Sequence, residues 1–289
     1  MCLLQRIIDI EAIKNYNKIV YLCDRQKVGY MRLLTIGDVC GNVGCEYLRL
    51  KLPALKKEKN IDAVIVNGEN SATGNGITKQ SAEFIFACGA DIITGGNHSL
   101  RQKSAFDFLD SNDFVLRPHN LPDCEVGKGY CFADFGKFSL AVINLSGVIY
   151  LERVGAENPF IWADRLIEKA ENDGASFIAV DFHAEATSEK RALGLYLDGK
   201  VSAFFGTHTH IQTADEQILP NGTGYITDLG MTGPRNSVLG VKTDIIINRL
   251  KSGDMSKFLF AEGEGMLEGC IFDIDDNSKK TVKIARISI

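Results

Sequence analysis

The sequence predicts an α/β fold whose sheets are covered on both faces, and three observations predict it. Runs rich in β-branched residues alternate with stretches of helical periodicity along most of the chain. Those runs are nearly continuous in apolar residues, as strands buried on both sides are. Residues capable of chemistry stand just past the ends of the runs, where ligands collect in α/β folds.

The elements follow in chain order. Residues 1–30 fit the pattern poorly, and "MRLLTIGDV" at Met31 reads as the natural start. Residues 1–30 are therefore taken as an N-terminal extension, consistent with translation from an upstream start, and 31–289 as a single domain. Strands are expected in "LLTIGDV" (33–39), "AVIVNGEN" (63–70), "DIITGGNHS" (91–99), "SLAVINLSG" (139–147), "FIAVDFHAE" (177–185) and "SAFFGTHTH" (202–210). Helical spacing marks "KQSAEFIFACGA", with Thr78 as its N-cap and Gly89 as its stop, and "IWADRLIEKAEND". The segment 146–165 breaks the strand-helix rhythm just after a strand end, the place where a lid or a substrate-specific wall would sit. Its aromatics Tyr150, Phe160 and Trp162 either stack on a ligand or pack beneath the loop. "MLEGCIFDIDDNSKKTVKIARISI" reads as two alternating strands around a turn at Asp276, Asn277 and Ser278.

Composition narrows the function. With 289 residues, 45% of them hydrophobic and 24% charged, the chain has the make-up of a globular protein, and its net charge of −5 argues against a surface that wraps DNA or RNA non-specifically. No run has the length of a membrane span, and Asp9, Glu11 and Lys14 interrupt any secretory core, so a cytoplasmic protein is expected. The eight cysteines form no C-x-x-C pair and read as reduced, buried small hydrophobes.

The strand ends carry the chemistry. Asp38 closes the first run, Glu69 and Asn70 the second, Asn97 and His98 the third, His183 the fifth, and His208 and His210 the sixth. Any one of them alone is better read as a cap or a hydrogen-bonded core residue. Together, carboxylate, amide oxygen and imidazole make a mixed shell suited to Mn, Fe or Zn. They exceed the needs of one ion, which points to two metals sharing a carboxylate. On an extended segment His208 and His210, at i and i+2, would face a common point.

"GDVCG", "NGEN", "GGNHS", "DFHAEATSEK", "GTHTHIQTAD" and "YITDLGMTGP" closely resemble the YmdB-type 2′,3′-cyclic nucleotide phosphodiesterases, a branch of the calcineurin-like metallophosphoesterases. The resemblance runs from Met31 to the C-terminus. It implies a four-layer α/β/β/α sandwich with a dinuclear centre, Asp38, Glu69, Asn70 and His210 holding one ion and Glu69, Asn97, His183 and His208 the other. Two divalent or mixed-valence ions are implied, Fe or Mn ahead of Zn or Mg. The substrate would be a small cyclic nucleotide or a short RNA end, the assembly a homo-oligomer, with neither membrane nor stable DNA partner. A metal-bridging hydroxide would attack phosphorus in line, and His98, pointing away from Asn97 on an extended segment, would protonate the leaving ribose oxygen.

The wider superfamily has D-x-H where this chain has Asp38-Val39-Cys40. The branch it resembles also lacks that histidine, and Asn70 can supply the missing ligand, so a ligating Cys40 is the lesser reading. His119 reads as a surface-loop residue. Arg117 meets either a substrate phosphate or a structural partner. Thr207, Thr209, Asp181, Glu185 and Glu189 either fix the imidazole tautomers or serve as ordinary capping groups. The loop "GENSATGNGIT" either offers backbone amides to a phosphate or is a tight turn. Two other functions compete with the phosphodiesterase: a slow regulatory metalloprotein acting through a partner, and a histidinol-phosphatase-like barrel. The barrel is disfavoured because its H-x-H pair comes first in the chain and here it comes last.

Overall fold

A computed structural model describes residues 29–122, 125–253 and 255–289. The proposed extension therefore falls outside the described residues except for Gly29 and Tyr30, as do Cys2, Cys23 and Cys124. Cys40, Cys45, Cys88, Cys131 and Cys270 are free thiols.

The described residues form three sheets. The first has the order β14-β13-β1-β3-β4, from β1 (Tyr30–Ile36), β3 (Ala63–Asn67), β4 (Ile92–Thr94), β13 (Glu268–Asp275) and β14 (Thr281–Ser288). The second has the order β5-β6-β7-β8-β10-β9, from β5 (Tyr130–Asp134), β6 (Ser139–Ser146), β7 (Phe177–His183), β8 (Ala203–Thr207), β9 (Gln217–Ile218) and β10 (Gly224–Ile226). A small third sheet joins β2 (Asp38–Val39), β11 (Met231–Pro234) and β12 (Gly265–Met266). β1, β3 and β4 run parallel, as do β6, β7, β8 and β10, so their carboxyl ends gather at one edge of each sheet.

Alternation along the strands explains the layering. Met31, Leu33, Ala63 and Ile65 of the first sheet meet Leu140, Val142, Phe177 and Phe205 of the second in one inter-sheet core. The opposite face of the first sheet, with Leu34, Ile36, Val64 and Val66, packs on Leu48, Leu52 and Leu55 of α1 (Gly41–Glu58) and on Ala82 and Ile85 of α2 (Lys79–Ala87). The outer face of the second sheet, with Ile143, Val180 and Phe204, packs on Leu166 and Ile167 of α4 (Pro159–Asn172) and Leu193 of α5 (Thr187–Tyr196). Each buried leucine contributes about 1.5–3 kcal/mol. The result is the expected four-layer α/β/β/α sandwich, with Leu109 of α3 (Phe106–Ser111) in the same core as α1 and α2. Among the described residues no helix is long and apolar enough to cross a membrane.

Thr78 caps α2 as its sequence predicts, in a reciprocal capping box with Ser81. Helix α4 begins two residues before the predicted stretch, at Pro159, because Asn158 caps the Phe160 amide and proline suits a first helical position. Phe160 and Trp162 are thus helical residues: Phe160 packs on Tyr196, and Trp162 on His119. Strands β5 and β9 to β12 are not among those expected. The last four are two to four residues long, and β11 reads Met-Thr-Gly-Pro, so only pairing with distant segments makes them strands.

Candidate active site

The pleat that builds the inter-sheet core also builds the site. On the face where Ala63 and Ile65 are apolar, the next residue along β3 is Asn67; β4 continues from Ile92 to Thr94, β6 from Val142 to Asn144, β7 from Ala179 to Asp181 and His183, and β8 from Phe205 to Thr207. The inter-sheet layer is therefore dry at one end and polar at the carboxyl ends. All of these polar residues are buried.

A hydrogen-bonded relay fixes His183. The Thr207 hydroxyl donates to Asp181 Oδ1 (2.7 Å), so its remaining capacity toward His183 Nδ1, 2.9 Å away, is that of an acceptor. In the neutral ring the proton therefore resides on Nδ1, which leaves the Nε2 lone pair for a cation. Burial pushes Asp181 up to about 6, against the opposing effect of the Thr94 hydroxyl and the His183 charge. Thr94 and Asn67 donate to its other oxygen.

Around His183 Nε2 stand Asn97 Oδ1 at 2.9 Å, His208 Nδ1 at 3.0 Å and Glu69 Oε1 at 3.2 Å. His208 turns its Nε2 to Glu185 (3.0 Å), which leaves Nδ1 unprotonated. Burial, reinforced by repulsion from His183, lowers His208 to about 3. Four acceptor atoms thus converge on one point. Ligands at right angles about 2.1 Å from one ion lie about 3 Å apart, so the spacing is that of a coordination shell.

A second group adjoins it. His210 directs Nδ1 to the Leu239 carbonyl (3.2 Å) and Nε2 toward Asp38 Oδ1 (3.4 Å) and the Asn70 amide (3.3 Å). Asp38 Oδ1 and Asn70 Oδ1 are buried without a hydrogen-bond partner. Amide orientation follows from the network, and a half-turn of Asn70 would bring its oxygen to Glu69 Oε1 and His210 Nε2. Burial opposes charge on every member. Nevertheless Asp38 is held below its ordinary value by His210, and Glu69 well below by His183 and His98, while Cys40 and Asp38 hold His210 well above and Glu69 holds His183 above. The cluster draws in positive charge, and Glu69 lies between its two halves.

Gly96 leaves room for an occupant. A Cβ there would lie 2.2 Å from His183 Nε2 and 2.3 Å from Glu69 Oε2, in the space on which the ligand atoms converge. Orphaned oxygens, converging lone pairs and this small cradle fit divalent ions. Asp38, Asn70 and His210 would hold one, Asn97, His183 and His208 the other, and Glu69 would touch both.

Two local expectations are corrected. His208 and His210 do not continue an extended strand: β8 ends at Thr207, and both residues have left-handed backbone, with φ of 98° and 61°. This reversal sends the imidazoles to different halves of the cluster instead of one point. Such backbone costs about 1–3 kcal/mol at each non-glycine residue. His98 does not point away from Asn97 on an extended segment either. Residues 97–100 form a turn, and the His98 backbone N–H and ring Nδ1 meet Glu69 Oε2 (2.9 Å) and Oε1 (3.2 Å).

The cleft above the cluster measures about 250 Å³ and is lined by Asn75, His98, Glu185, Thr209 and Leu239 as well as ligand-type residues. Asn75 is left-handed between Gly74 and Gly76, so "GENSATGNGIT" is a turn that also gives the cleft a wall. Larger hollows elsewhere, such as one of about 400 Å³ beside Ile149 and Phe160, lack this convergence of acceptors.

Other candidates fall outside. Cys40 Sγ is 3.7 Å from His210 Nδ1, the ring nitrogen facing away from Asp38, so the thiol lies behind the imidazole. Arg117 is buried and donates to the carbonyls of Pro118, His119 and Val126, clamping its own loop. His119 is not a loose surface-loop residue: its ring packs 4.7 Å from Trp162 and its amide donates to Asn144. Glu189 accepts from the amides of Val148 and Ile149 and touches no imidazole of the cluster. Sequence reasoning misses Asn67, Thr94, Asn75 and Leu239; the first two are accessible from the period-two alternation of their strands.

Comparison with known proteins identifies relatives over most of the chain. The family model described as YmdB-like protein matches residues 34–287. A 2′,3′-cyclic-nucleotide 2′-phosphodiesterase of Bacillus subtilis is 47% identical over 259 residues, covering 90% of this chain and 97% of that protein. The crystal structure of a phosphatase from Mycoplasma pneumoniae superposes with a TM-score of 0.86 at 35% identity, covering 90% of this chain and 94% of the other. A protein from Thermus thermophilus gives 0.83 at 36% identity, covering 90% and 99%.

Proposed function

We propose that this chain, which belongs to the YmdB-like protein family, is a metal-dependent phosphodiesterase opening 2′,3′-cyclic nucleotides or cyclic phosphates at RNA ends. The observation that carries the reading is the convergence of Glu69, Asn97, His183 and His208 acceptor atoms beside the orphaned oxygens of Asp38 and Asn70. The mixed nitrogen and oxygen donors favour iron or manganese. Two such ions held there would supply Lewis acidity toward the attacking water and the phosphoryl oxygens.

The chain's own groups do the rest. Glu69 anchors His98 through both its backbone amide and Nδ1, which leaves Nε2 to face the cleft as donor to the departing ribose oxygen. Thr207 and Asp181 hold His183 in one tautomer, and Glu185 and the Leu239 carbonyl do the same for His208 and His210. Asn75 and Leu239 give the nucleoside a wall. Elemental analysis after growth in replete medium, coupled to a screen of 2′,3′- and 3′,5′-cyclic nucleotides, tests the reading. About two ions per chain and opening of the 2′,3′-cyclic compounds are expected. One ion or none, or activity confined to phosphomonoesters, would overturn it.

A further inference from the structure

The left-handed pair His208 and His210 poses a physical question: what holds a strained backbone in place when the two imidazoles it carries must serve different halves of the site? Thr209, between them, gives the answer. Its amide (3.2 Å) and its hydroxyl (2.7 Å) both donate to Asp228 Oδ2. The same oxygen accepts from Lys190 Nζ at 2.6 Å, while Oδ1 accepts from the Gly230 amide at 2.9 Å. Lys190 and Asp228 are each wholly buried.

Lys190 belongs to α5 in the outer helical layer, and its side chain runs over Gly206 of β8 to reach Asp228. A Cβ at Gly206 would lie 2.9 Å from Lys190 Cδ and 1.9 Å from the Thr227 carbonyl oxygen, so a larger residue would block the passage. An ion pair in such a place is a poor stabiliser, because desolvation offsets its attraction, and apolar replacements are often tolerated. Its position suits another role.

We propose that the Lys190–Asp228 pair is the positioning element of the His208–Thr209–His210 loop, setting one imidazole on each cation site. The lysine charge balances the Asp228 carboxylate in a dry interior, and the carboxylate pins the one residue that both histidines flank. The inference rests on the reading of two cation sites. It assigns a role to two residues that touch neither cation nor substrate.

The test is calorimetric titration of chelator-treated protein with Mn²⁺ alone. Two double variants of similar volume are compared with wild type: Lys190→Met with Asp228→Leu, and Lys190→Met with Asp228→Asn. Both remove the charges; only the second retains an oxygen that can accept from Thr209. Positioning predicts that the leucine variant melts near wild type yet loses about tenfold or more in Mn²⁺ affinity at both sites, whereas the asparagine variant stays within about threefold. Wild-type affinity in both variants, or equal losses in both, would overturn the role. Should the leucine variant fail to fold, Thr209→Val decides, because it removes only the hydroxyl bond. A loss of about threefold or more supports the proposal, and wild-type affinity sinks it. If wild-type protein itself binds no Mn²⁺, the two-cation reading fails, and this inference with it; if wild type binds two ions and both variants bind them with wild-type affinity, only the inference fails.

Discussion

His183 and the His208–His210 loop face the same cleft from neighbouring strands, and they are held there by different means. His183 is the last residue of a regular strand, and its orientation follows from the pleat that buries Phe177 and Ala179 below it. The loop abandons the strand after Thr207 and takes left-handed backbone twice. One side chain is aimed by secondary structure, the other two by tertiary contacts from Asp38, Glu185, Leu239 and Asp228. Regular structure alone can aim successive same-face residues at one place; two places require the chain to leave it.

The strand side of the comparison should be the more costly to break. His183→Ala removes a fully buried imidazole whose Nε2 faces Asn97, His208 and Glu69, and it is expected to empty at least one cation site and lower kcat/KM by about a thousandfold or more. Metal content and turnover measured on the same preparation check this. Full metal occupancy in the variant would mean that His183 is not a ligand.

Gly96→Ala comes next, and it attacks the same region without removing a ligand. Its new methyl group would fall 2.2 Å from His183 Nε2, an atom fixed by the Thr207 and Asp181 relay. A loss of metal and about a hundredfold drop in turnover are expected, with little change in melting temperature, since the alanine fills the cation space instead of the apolar core. A variant that binds two ions normally would show that the cations sit elsewhere.

These two cases also mark what the sequence makes legible. Period-two alternation and the residue types at strand ends suffice to find His183, Asp38, Glu69, Asn70 and Asn97, and the order of the motifs suffices for the family. The handedness of His208 and His210 is not legible, because nothing in "GTHTH" forces positive φ on a histidine; contacts with residues 38 and 228, far away in sequence, select it. Lys190 is hidden for a related reason. Nothing in "TSEKRALGLY" marks this lysine for burial, and only the packing of α5 over Gly206 buries it. His98 shows the same limit, since "GGNHS" gives no sign that its turn would bring His98 to Glu69 while Asn97 meets His183.

His98→Ala probes a residue placed by that turn. It should retain both ions and slow opening of a nucleoside cyclic phosphate about a hundredfold, the usual worth of a positioned proton donor. An aryl phosphodiester with a nitrophenolate leaving group needs little protonation and should be much less affected. Equal damage to both substrates, or loss of metal, would remove His98 from the role of general acid.

The smallest expected effects compare the two ways of fixing an imidazole. Thr207→Val breaks the buried relay to His183, leaving Nδ1 without its acceptor and Asp181 without one of its donors, and should weaken metal binding about tenfold. Glu185→Gln alters the partner of His208 at a side chain that is 48% exposed, and there the amide oxygen of glutamine can still accept from Nε2 while water covers the rest. A change of about threefold or less is expected in metal affinity. Titration of both variants with the same cation decides the matter: if Glu185→Gln costs as much as Thr207→Val, His208 depends on the full charge of Glu185, and the loop is aimed from the rim of the cleft as strongly as from its buried floor.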